Sequence, residues 1–174
     1  MLKGVNIYLV GMMGAGKTTV GYLLAQSLGY RFLDTDSLIS QAAGKSINDI
    51  FVDDGEATFR QLETKVLAEI STYKNLTIAT GGGIVINQFN WSYLHHGIVV
   101  WLDVPVEELY NRLQDDRTRP LLQDTDALGK LRSLLEERRP LYANADVHVN
   151  VARGIRPEEL TLLVLEEIKK VLKS

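Results

Sequence analysis

A glycine-rich segment near the start of the sequence has the residue types and the spacing that bind a phosphate chain. Residues 11–18 read GMMGAGKT, which matches the pattern G-x-x-x-x-G-K-[ST] at the junction of a strand and a helix. Glycines let backbone N–H groups curl around phosphate oxygens, and the helix N-terminus adds the positive end of its dipole. The alternative is a glycine-rich turn with an exposed lysine, but the predicted strand and helix on either side disfavour it.

The residues of this segment have separate expected roles. Lys17 is predicted to bridge the β- and γ-phosphates of a nucleotide, and the hydroxyl of Thr18 is predicted to bind Mg²⁺. The predicted nucleotide-binding residues of this segment are Gly14, Ala15, Gly16, Lys17, Thr18 and Thr19.

Two carboxylates follow the second predicted strand, residues 31–33. Asp34 and Asp36 flank Thr35 at the carboxyl end of that strand, where open α/β sheets bind their ligands. One acid beside Mg²⁺ can hold a metal-bound water, and the other can orient an attacking hydroxyl by accepting its hydrogen bond. Either carboxylate could instead cap the next helix by accepting from its free N–H groups, and one residue could do both.

Two arginines have the chemistry to bind a carboxylate. Arg60 lies on a predicted amphipathic helix, residues 55–73, with Glu63 one turn later to orient its guanidinium. Arg138 lies in the segment 134–142. Two arginines that converge on one pocket bind a carboxylate in fork geometry, which lysine does not reproduce. Either arginine alone is more often a solvated surface charge, so this prediction depends on the neighbouring motifs.

A glycine triplet, residues 81–83, follows the predicted strand Leu76–Ala79. Because glycine has no side chain, the triplet permits close approach of the backbone to a substrate; a flexible turn is the alternative. Thr80 stands where many P-loop enzymes carry a Walker B aspartate. Metal binding is therefore expected to depend more heavily on Thr18 and Asp34.

A polar stretch, residues 115–126, separates two predicted helices and contains Arg117 and Arg119. A loop that closes over a nucleotide keeps water from the γ-phosphate, and an arginine in such a loop stabilises the transferred charge. We therefore predict a lid in which Arg119 contacts phosphate. An exposed connecting loop is the alternative.

Short apolar runs alternate with amphipathic segments along the chain. The predicted strands are residues 5–10, 31–33, 76–79, 98–102 and 147–151. Helical spacing predicts helices between them and from Pro157 onward, whereas residues 84–97 fit neither pattern. This alternation favours a parallel sheet covered on both faces. The predicted fold class is α/β.

Size and composition limit the class of protein. A chain of 174 residues suits one domain, so residues 1–174 are expected to form a single unit. The sequence has no cysteine, which excludes disulfides and zinc–thiolate sites. A net charge of −3 gives no support for nucleic-acid binding, and no apolar run approaches the roughly 18 residues of a membrane span. We expect a cytoplasmic protein, although a removed organellar presequence is left open.

Together these segments resemble the shikimate kinase family over essentially the whole chain. The matching motifs are GMMGAGKT at 11–18, DTD at 34–36, FRxLE at 59–63, GGG at 81–83, RPLL at 119–122 and RxPLY at 138–142. The resemblance implies a P-loop, nucleoside-monophosphate-kinase-like three-layer sandwich. It also implies five parallel strands in order 2-3-1-4-5, helices on both faces, a substrate-binding segment at about residues 34–63 and a small lid at about 115–126.

The resemblance further implies roles for single residues. The implied catalytic residues are Asp36 as the base, Lys17 and Arg119. The implied substrate-binding residues are Asp36, Arg60, Gly82 and Arg138, of which the two arginines bind a carboxylate. The implied metal ligands are Thr18 and Asp34, the latter through water. The implied nucleotide contacts beyond the phosphate loop are Arg119 and, at the adenine, Arg112 and Pro157, with Arg153 or Arg156 as an open further contact.

The implied activity is transfer of the ATP γ-phosphate to the 3-hydroxyl of shikimate, with Mg²⁺ as cofactor, by a monomer in aromatic amino-acid biosynthesis. The rivals are a sibling kinase acting on gluconate, an adenylate kinase, and a catalytically silent kinase-like protein that binds a partner or metabolite. Two arginines favour an acid over a neutral sugar, and adenylate kinases usually have a larger lid. A silent relative is expected to lack Lys17, Asp36 or the arginines, all of which are kept here.

Overall fold

The computed structural model describes residues 2–114 and 125–173. Within these ranges, short strands alternate with helices along the chain. The strands are β1 (Ile7–Val10), β2 (Arg31–Asp34), β3 (Leu76–Ala79), β4 (Ile98–Asp103) and β5 (Val147–Asn150). The helices are α1 (Lys17–Leu28), α2 (Thr35–Ala43), α3 (Ile47–Asp54), α4 (Glu56–Ile70), α5 (Asn90–Leu94), α6 (Val106–Leu113), α7 (Ala127–Tyr142) and α8 (Pro157–Lys173).

The strands form one parallel sheet in the order β2-β3-β1-β4-β5. Strand β1 is central, and its Ile7 pairs with Thr77 of β3 and with Ile98 of β4. Every residue of β1 and β3 is buried. Because successive side chains of a strand point to opposite faces, both faces of the sheet centre must be covered. The predicted α/β class and strand order are confirmed.

Glycine and proline set the ends of the helices that border the site. Helix α1 begins after Gly16 and ends at Gly29, whose φ angles of 95° and 68° are left-handed and suit glycine. Helix α8 begins at Pro157, since a first-turn residue needs no N–H donor.

Of the predicted lid, residues 115–124 lie outside the described residues. Asp126 caps α7 by accepting from the Gly129 N–H.

Two apolar clusters hold the helices in place. The larger cluster surrounds the sheet and contains Trp101. The smaller cluster consists of Ile39, Ile50 and Phe59, which come from α2, α3 and α4. The segment that carries Asp36 and Arg60 therefore has a small core of its own beside the sheet.

Residues 84–97, which the sequence left unassigned, form turns around the short helix α5. Two buried hydrogen bonds hold this segment. The side chain of Asn90 donates to the Ile84 carbonyl at 2.9 Å, and the Trp91 indole donates to the Val85 carbonyl at 3.0 Å.

Over the described ranges, no helix combines the length and the apolarity needed to cross a bilayer.

Candidate active site

A cavity of about 720 Å³ lies beside the carboxyl ends of the central strands, where parallel sheets bind their ligands. The predicted site residues that line it are Gly14, Ala15, Gly16, Lys17, Thr18, Thr19, Asp34, Asp36, Gly82, Arg112 and Pro157. Arg60 and Arg138 do not line the cavity itself, and Arg119 lies outside the described residues. The structure thus brings most of the predicted residues together around one space.

The predicted phosphate-binding loop joins β1 to α1. Gly14 and Gly16 have φ angles of 80° and 95°, a left-handed conformation that other residues adopt at a cost. This conformation lets the loop turn into α1 with its N–H groups beside the cavity. The Lys17 ammonium donates to the Gly11 carbonyl and, at 3.2 Å, to the Met12 carbonyl, so the cation lies over the loop.

Asp34 uses its two carboxylate oxygens for two purposes. One oxygen accepts from the Ser37 N–H at 3.2 Å and caps α2. The other accepts from the Thr18 hydroxyl at 3.0 Å. The sequence left open whether Asp34 caps a helix or serves the metal site, and the structure shows the cap together with a contact to Thr18.

The residues at this point suit a hard divalent cation. A hydroxyl and a carboxylate are oxygen ligands of the kind that Mg²⁺ takes. Among the described residues, no group of three or more His, Cys, Asp or Glu could hold a metal ion. The Thr18 hydroxyl and the Asp34 carboxylate, 3.0 Å apart, supply oxygen donors of the kind that bind Mg²⁺ together with nucleotide phosphates.

The glycine triplet lies between the charged side chains of the predicted site. A Cβ added to Gly81 would come within 2.7 Å of the Asp36 carboxylate, and one added to Gly83 would come within 2.7 Å of the Arg60 guanidinium carbon. A Cβ on Gly82 would lie 3.3 Å from Arg138. The glycines thus leave room for the site's own side chains, in addition to the room for a substrate that the sequence predicts.

Arg60 is held by acidic neighbours on α4. Its guanidinium bonds Glu63 at 3.0 Å and approaches Glu56 at 3.5 Å. The Glu63 side chain is only 1% exposed. Burial raises the pKa of Glu63 to about 7, and Arg60 opposes this rise because a nearby cation favours the carboxylate. The predicted contact between Arg60 and Glu63 is present.

Two hydroxyl groups without a predicted role hold the triplet in place. Thr35, fully buried between the two aspartates, accepts from the Gly81 N–H at 3.0 Å. The hydroxyl of Tyr142 donates to the Gly82 carbonyl at 2.6 Å. Both residues belong to matched motifs, Thr35 to DTD and Tyr142 to RxPLY, and this membership is the sequence signal that could have indicated them.

The far end of the cavity is lined by Arg112 and Pro157. Arg112 donates to the Gly14 carbonyl at 3.0 Å and pairs with Glu108 at 3.2 Å. The side chains of Arg153 and Arg156 are each 73% exposed, and neither residue lines the cavity. Of the open alternatives for a further nucleotide contact, neither arginine is therefore favoured.

A phosphate-binding loop between β1 and α1, acids after β2 and a parallel sheet of this order define a P-loop kinase. Comparison with known proteins agrees. The model of the shikimate kinase family matches residues 13–169. The chain therefore belongs to the shikimate kinase family.

This chain is similar to several shikimate kinases over nearly their whole length. A shikimate kinase of Nostoc punctiforme is 60% identical over 99% of this chain and 96% of that protein. One from Trichormus variabilis is 62% identical over 100% of this chain and 96% of that protein. The structure of a shikimate kinase from Acinetobacter baumannii in complex with shikimate has a TM-score of 0.93 at 44% identity, covering 97% of this chain and 95% of that one.

Proposed function

We propose that this protein transfers the γ-phosphate of ATP to the 3-hydroxyl of shikimate and releases 3-phosphoshikimate and ADP. The observation that carries the proposal is the placement of Asp36, Arg60 and Arg138 around the glycine triplet, next to the phosphate-binding loop. The Acinetobacter baumannii relative, which has shikimate bound in its structure, supports the same substrate.

In the proposed reaction, Arg60 and Arg138 bind the shikimate carboxylate, and Gly82 offers backbone contact at the ring. Asp36 accepts the hydrogen bond of the 3-hydroxyl and takes its proton as the oxygen attacks the γ-phosphorus. The bond from the γ-phosphorus to the bridging oxygen breaks, and ADP leaves. Positioning supplies most of the rate enhancement in such transfers.

The nucleotide and its cation complete the proposed site. Gly14 to Thr19 bind the phosphates, and Lys17 stabilises the charge that develops on the γ-phosphate. Thr18 and Asp34 would hold Mg²⁺, Asp34 through water, and the bound ion would neutralise phosphate charge. Arg112 and Pro157 enclose the adenine. Arg119, which lies outside the described residues, is the residue that we propose contacts the phosphates from a lid at about residues 115–126.

The remaining proposals concern the molecule as a whole. We propose one domain, residues 1–174, with the substrate-binding segment at about 34–63. We propose that the protein is a monomer. The proposed partners are ATP and shikimate alone, and the proposed location is the cytoplasm.

A coupled assay of ADP release tests the acceptor. We expect turnover with shikimate and none with gluconate or AMP at equal concentrations. Turnover with gluconate alone would assign the chain to the sibling activity, and turnover with AMP alone would assign it to adenylate kinase chemistry. Absence of turnover with every acceptor would favour the silent binding protein.

Substitution of Asp36 tests the proposed base. In Asp36→Asn the side chain keeps its size but cannot take a proton, so kcat should fall roughly 100-fold or more while the far-UV spectrum is unchanged. Asp49→Asn, on the first turn of the neighbouring helix α3, is the matched control and should keep its rate. An unchanged kcat in Asp36→Asn would remove this residue from the mechanism.

A further inference from the structure

Tyr142 links the last turn of α7 to the glycine triplet. Its side chain is fully buried, and its ring lies against Trp101 with the centroids 5.7 Å apart. Its hydroxyl donates to the Gly82 carbonyl at 2.6 Å. Since the ring is held by packing, the hydroxyl is a fixed donor, and the carbonyl that it binds is fixed in turn.

The triplet needs such an anchor because glycine restricts its own backbone less than any other residue. All three carbonyls of the triplet accept hydrogen bonds, that of Gly83 from the Ile86 N–H at 3.1 Å. The other two bonds run from the Ile84 N–H to the Gly81 carbonyl at 3.1 Å and from Tyr142 to the Gly82 carbonyl. In a trans peptide the C=O and the N–H of one unit point in opposite directions. The two bonds therefore also fix the directions of the N–H groups of Gly82 and Gly83.

Of these two N–H groups, that of Gly82 belongs to a residue lining the cavity, whereas Gly83 is buried. Among the residues that the structure describes, neither N–H has a hydrogen-bond acceptor in the protein. Gly82 lines the cavity. The side chain nearest to the position that a Cβ of Gly82 would occupy is that of Arg138. Arg138 precedes Tyr142 by four residues on α7, which places both on the same side of that helix. One helix thus supplies both a cation and the anchor for the backbone beside it.

We propose that Tyr142 is a positioning residue for the acid substrate: its hydroxyl fixes the Gly82 backbone against α7, so that Gly82 and Arg138 meet the substrate together. This inference rests on the proposed function and adds a determinant of substrate affinity to it. Tyr142 acts through Gly82 and through Arg138, whose side chain also hydrogen-bonds the Tyr142 hydroxyl, and it does not itself touch the reacting atoms.

The test compares Tyr142→Phe with Tyr8→Phe. Tyr8 is also a fully buried tyrosine, but it lies on β1 next to Asn6, away from the triplet. In Tyr142→Phe the ring remains and the Gly82 carbonyl loses its donor. We expect the KM for shikimate to rise roughly fivefold to tenfold, with the KM for ATP within about twofold of wild type. Tyr8→Phe should leave both KM values unchanged.

The outcomes separate this inference from the proposed function. If the wild-type protein phosphorylates shikimate but Tyr142→Phe keeps the wild-type KM, the inference is wrong and the proposed function stands. If the KM values for shikimate and ATP rise together, or both tyrosine variants behave alike, the hydroxyl has only a structural role and the inference is also wrong. If the wild-type protein does not use shikimate, the proposed function fails, and the inference fails with it. Melting temperatures of both variants show whether each one folds.

Discussion

The charged side chains around the glycine triplet are packed closely enough to alter one another's ionisation. Glu63 is the clearest case. Burial raises its pKa to about 7, Arg60 and Arg138 lower it, and the charge of Asp36 raises it further. Near neutral pH this glutamate is therefore only partly ionised, so its strength as a partner of Arg60 changes with pH.

The raised pKa of Glu63 predicts a stability effect with a definite sign. The folded protein holds this proton more tightly than the unfolded chain, whose glutamate pKa is near 4.5. The stabilisation is complete below about pH 4.5 and is lost as pH rises through about 7. Relative to Glu63→Gln, which does not titrate, the wild-type free energy of unfolding should fall by at most about 3 kcal/mol between pH 4.5 and 8.

Denaturant unfolding of both proteins at several pH values measures this difference. Glu69→Gln, an exposed position on the same helix, is the control for loss of one glutamate charge. A constant difference in unfolding free energy between wild type and Glu63→Gln across this pH range would contradict the assigned pKa.

At the scale of elements, helix α2 depends on the same carboxylate that contacts Thr18. Asp34 caps α2 through one oxygen and accepts from the Thr18 hydroxyl through the other. A change at Asp34 can therefore act on helix stability, on the proposed metal site, or on both. Two substitutions separate the effects, because asparagine caps a helix about as well as aspartate and alanine does not.

We expect Asp34→Asn to keep the stability of wild type while its metal requirement rises. The Mg²⁺ concentration for half-maximal rate should increase roughly tenfold or more, since the carboxylate charge is lost. Asp34→Ala should in addition lose about 1 kcal/mol of unfolding free energy. Activity titrated with Mg²⁺, and denaturant unfolding, measure the two effects.

Ser46→Ala is the matched control. Ser46 caps α3 by accepting from the Asp49 N–H at 3.1 Å, and it does not line the cavity. This variant should lose stability like Asp34→Ala but keep the wild-type Mg²⁺ titration. An unchanged Mg²⁺ titration in Asp34→Asn would argue against a metal role for Asp34.

The sequence correctly predicted strands and helix ends where the pattern of residue types is local. The apolar runs at β1, β3 and β4 mark strands buried on both faces, and Gly29 marks the end of α1. Contacts between distant residues left no such pattern. Residues 84–97 are held by hydrogen bonds of single side chains, with no repeating spacing.

The same limit applies to the site. The motifs identified Asp36, Arg60 and Arg138 as a group, but not what holds them together. The bond from Tyr142 to Gly82 joins residues 60 positions apart, and the burial of Glu63 depends on how α4 packs. The motif at residues 34–36 left two possible roles for Asp34. Both contacts form, because one carboxylate oxygen caps α2 and the other accepts from the distant Thr18 hydroxyl.

At the scale of the whole molecule, the proposed ATP site is supported by the large apolar cluster, whereas two residues of the proposed acid site lie on helices that the small cluster joins. The phosphate-binding loop and α1 pack into the large cluster around the sheet through Ala15, Val20 and Leu24. Arg60 and Asp36 instead belong to helices joined by the small cluster of Ile39, Ile50 and Phe59. A destabilising substitution in the small cluster should therefore weaken binding of the acid substrate more than binding of ATP.

Phe59→Leu tests this division. Phe59 is 4% exposed, its ring centroid lies 4.7 Å from that of Phe51, and the Arg60 guanidinium lies 5.2 Å from it. The smaller side chain should destabilise α2 and α3 by about 1 kcal/mol and free the guanidinium to move. We expect a several-fold rise in the KM for shikimate, an unchanged KM for ATP, and faster amide exchange in α2 and α3 but not in β1 or β4.

Leu24→Ala gives the comparison from the large cluster. Leu24 is fully buried on α1, so its truncation should cost about 2–5 kcal/mol of unfolding free energy and speed exchange in the sheet as well as in the helices. If the small cluster is an independent unit, the two variants differ in where exchange increases, because local opening of α2 and α3 does not require the sheet to open. Equal exchange increases across β1 and β4 in Phe59→Leu would show that both clusters unfold as one unit, and the selective loss of shikimate affinity would then have no basis in the fold.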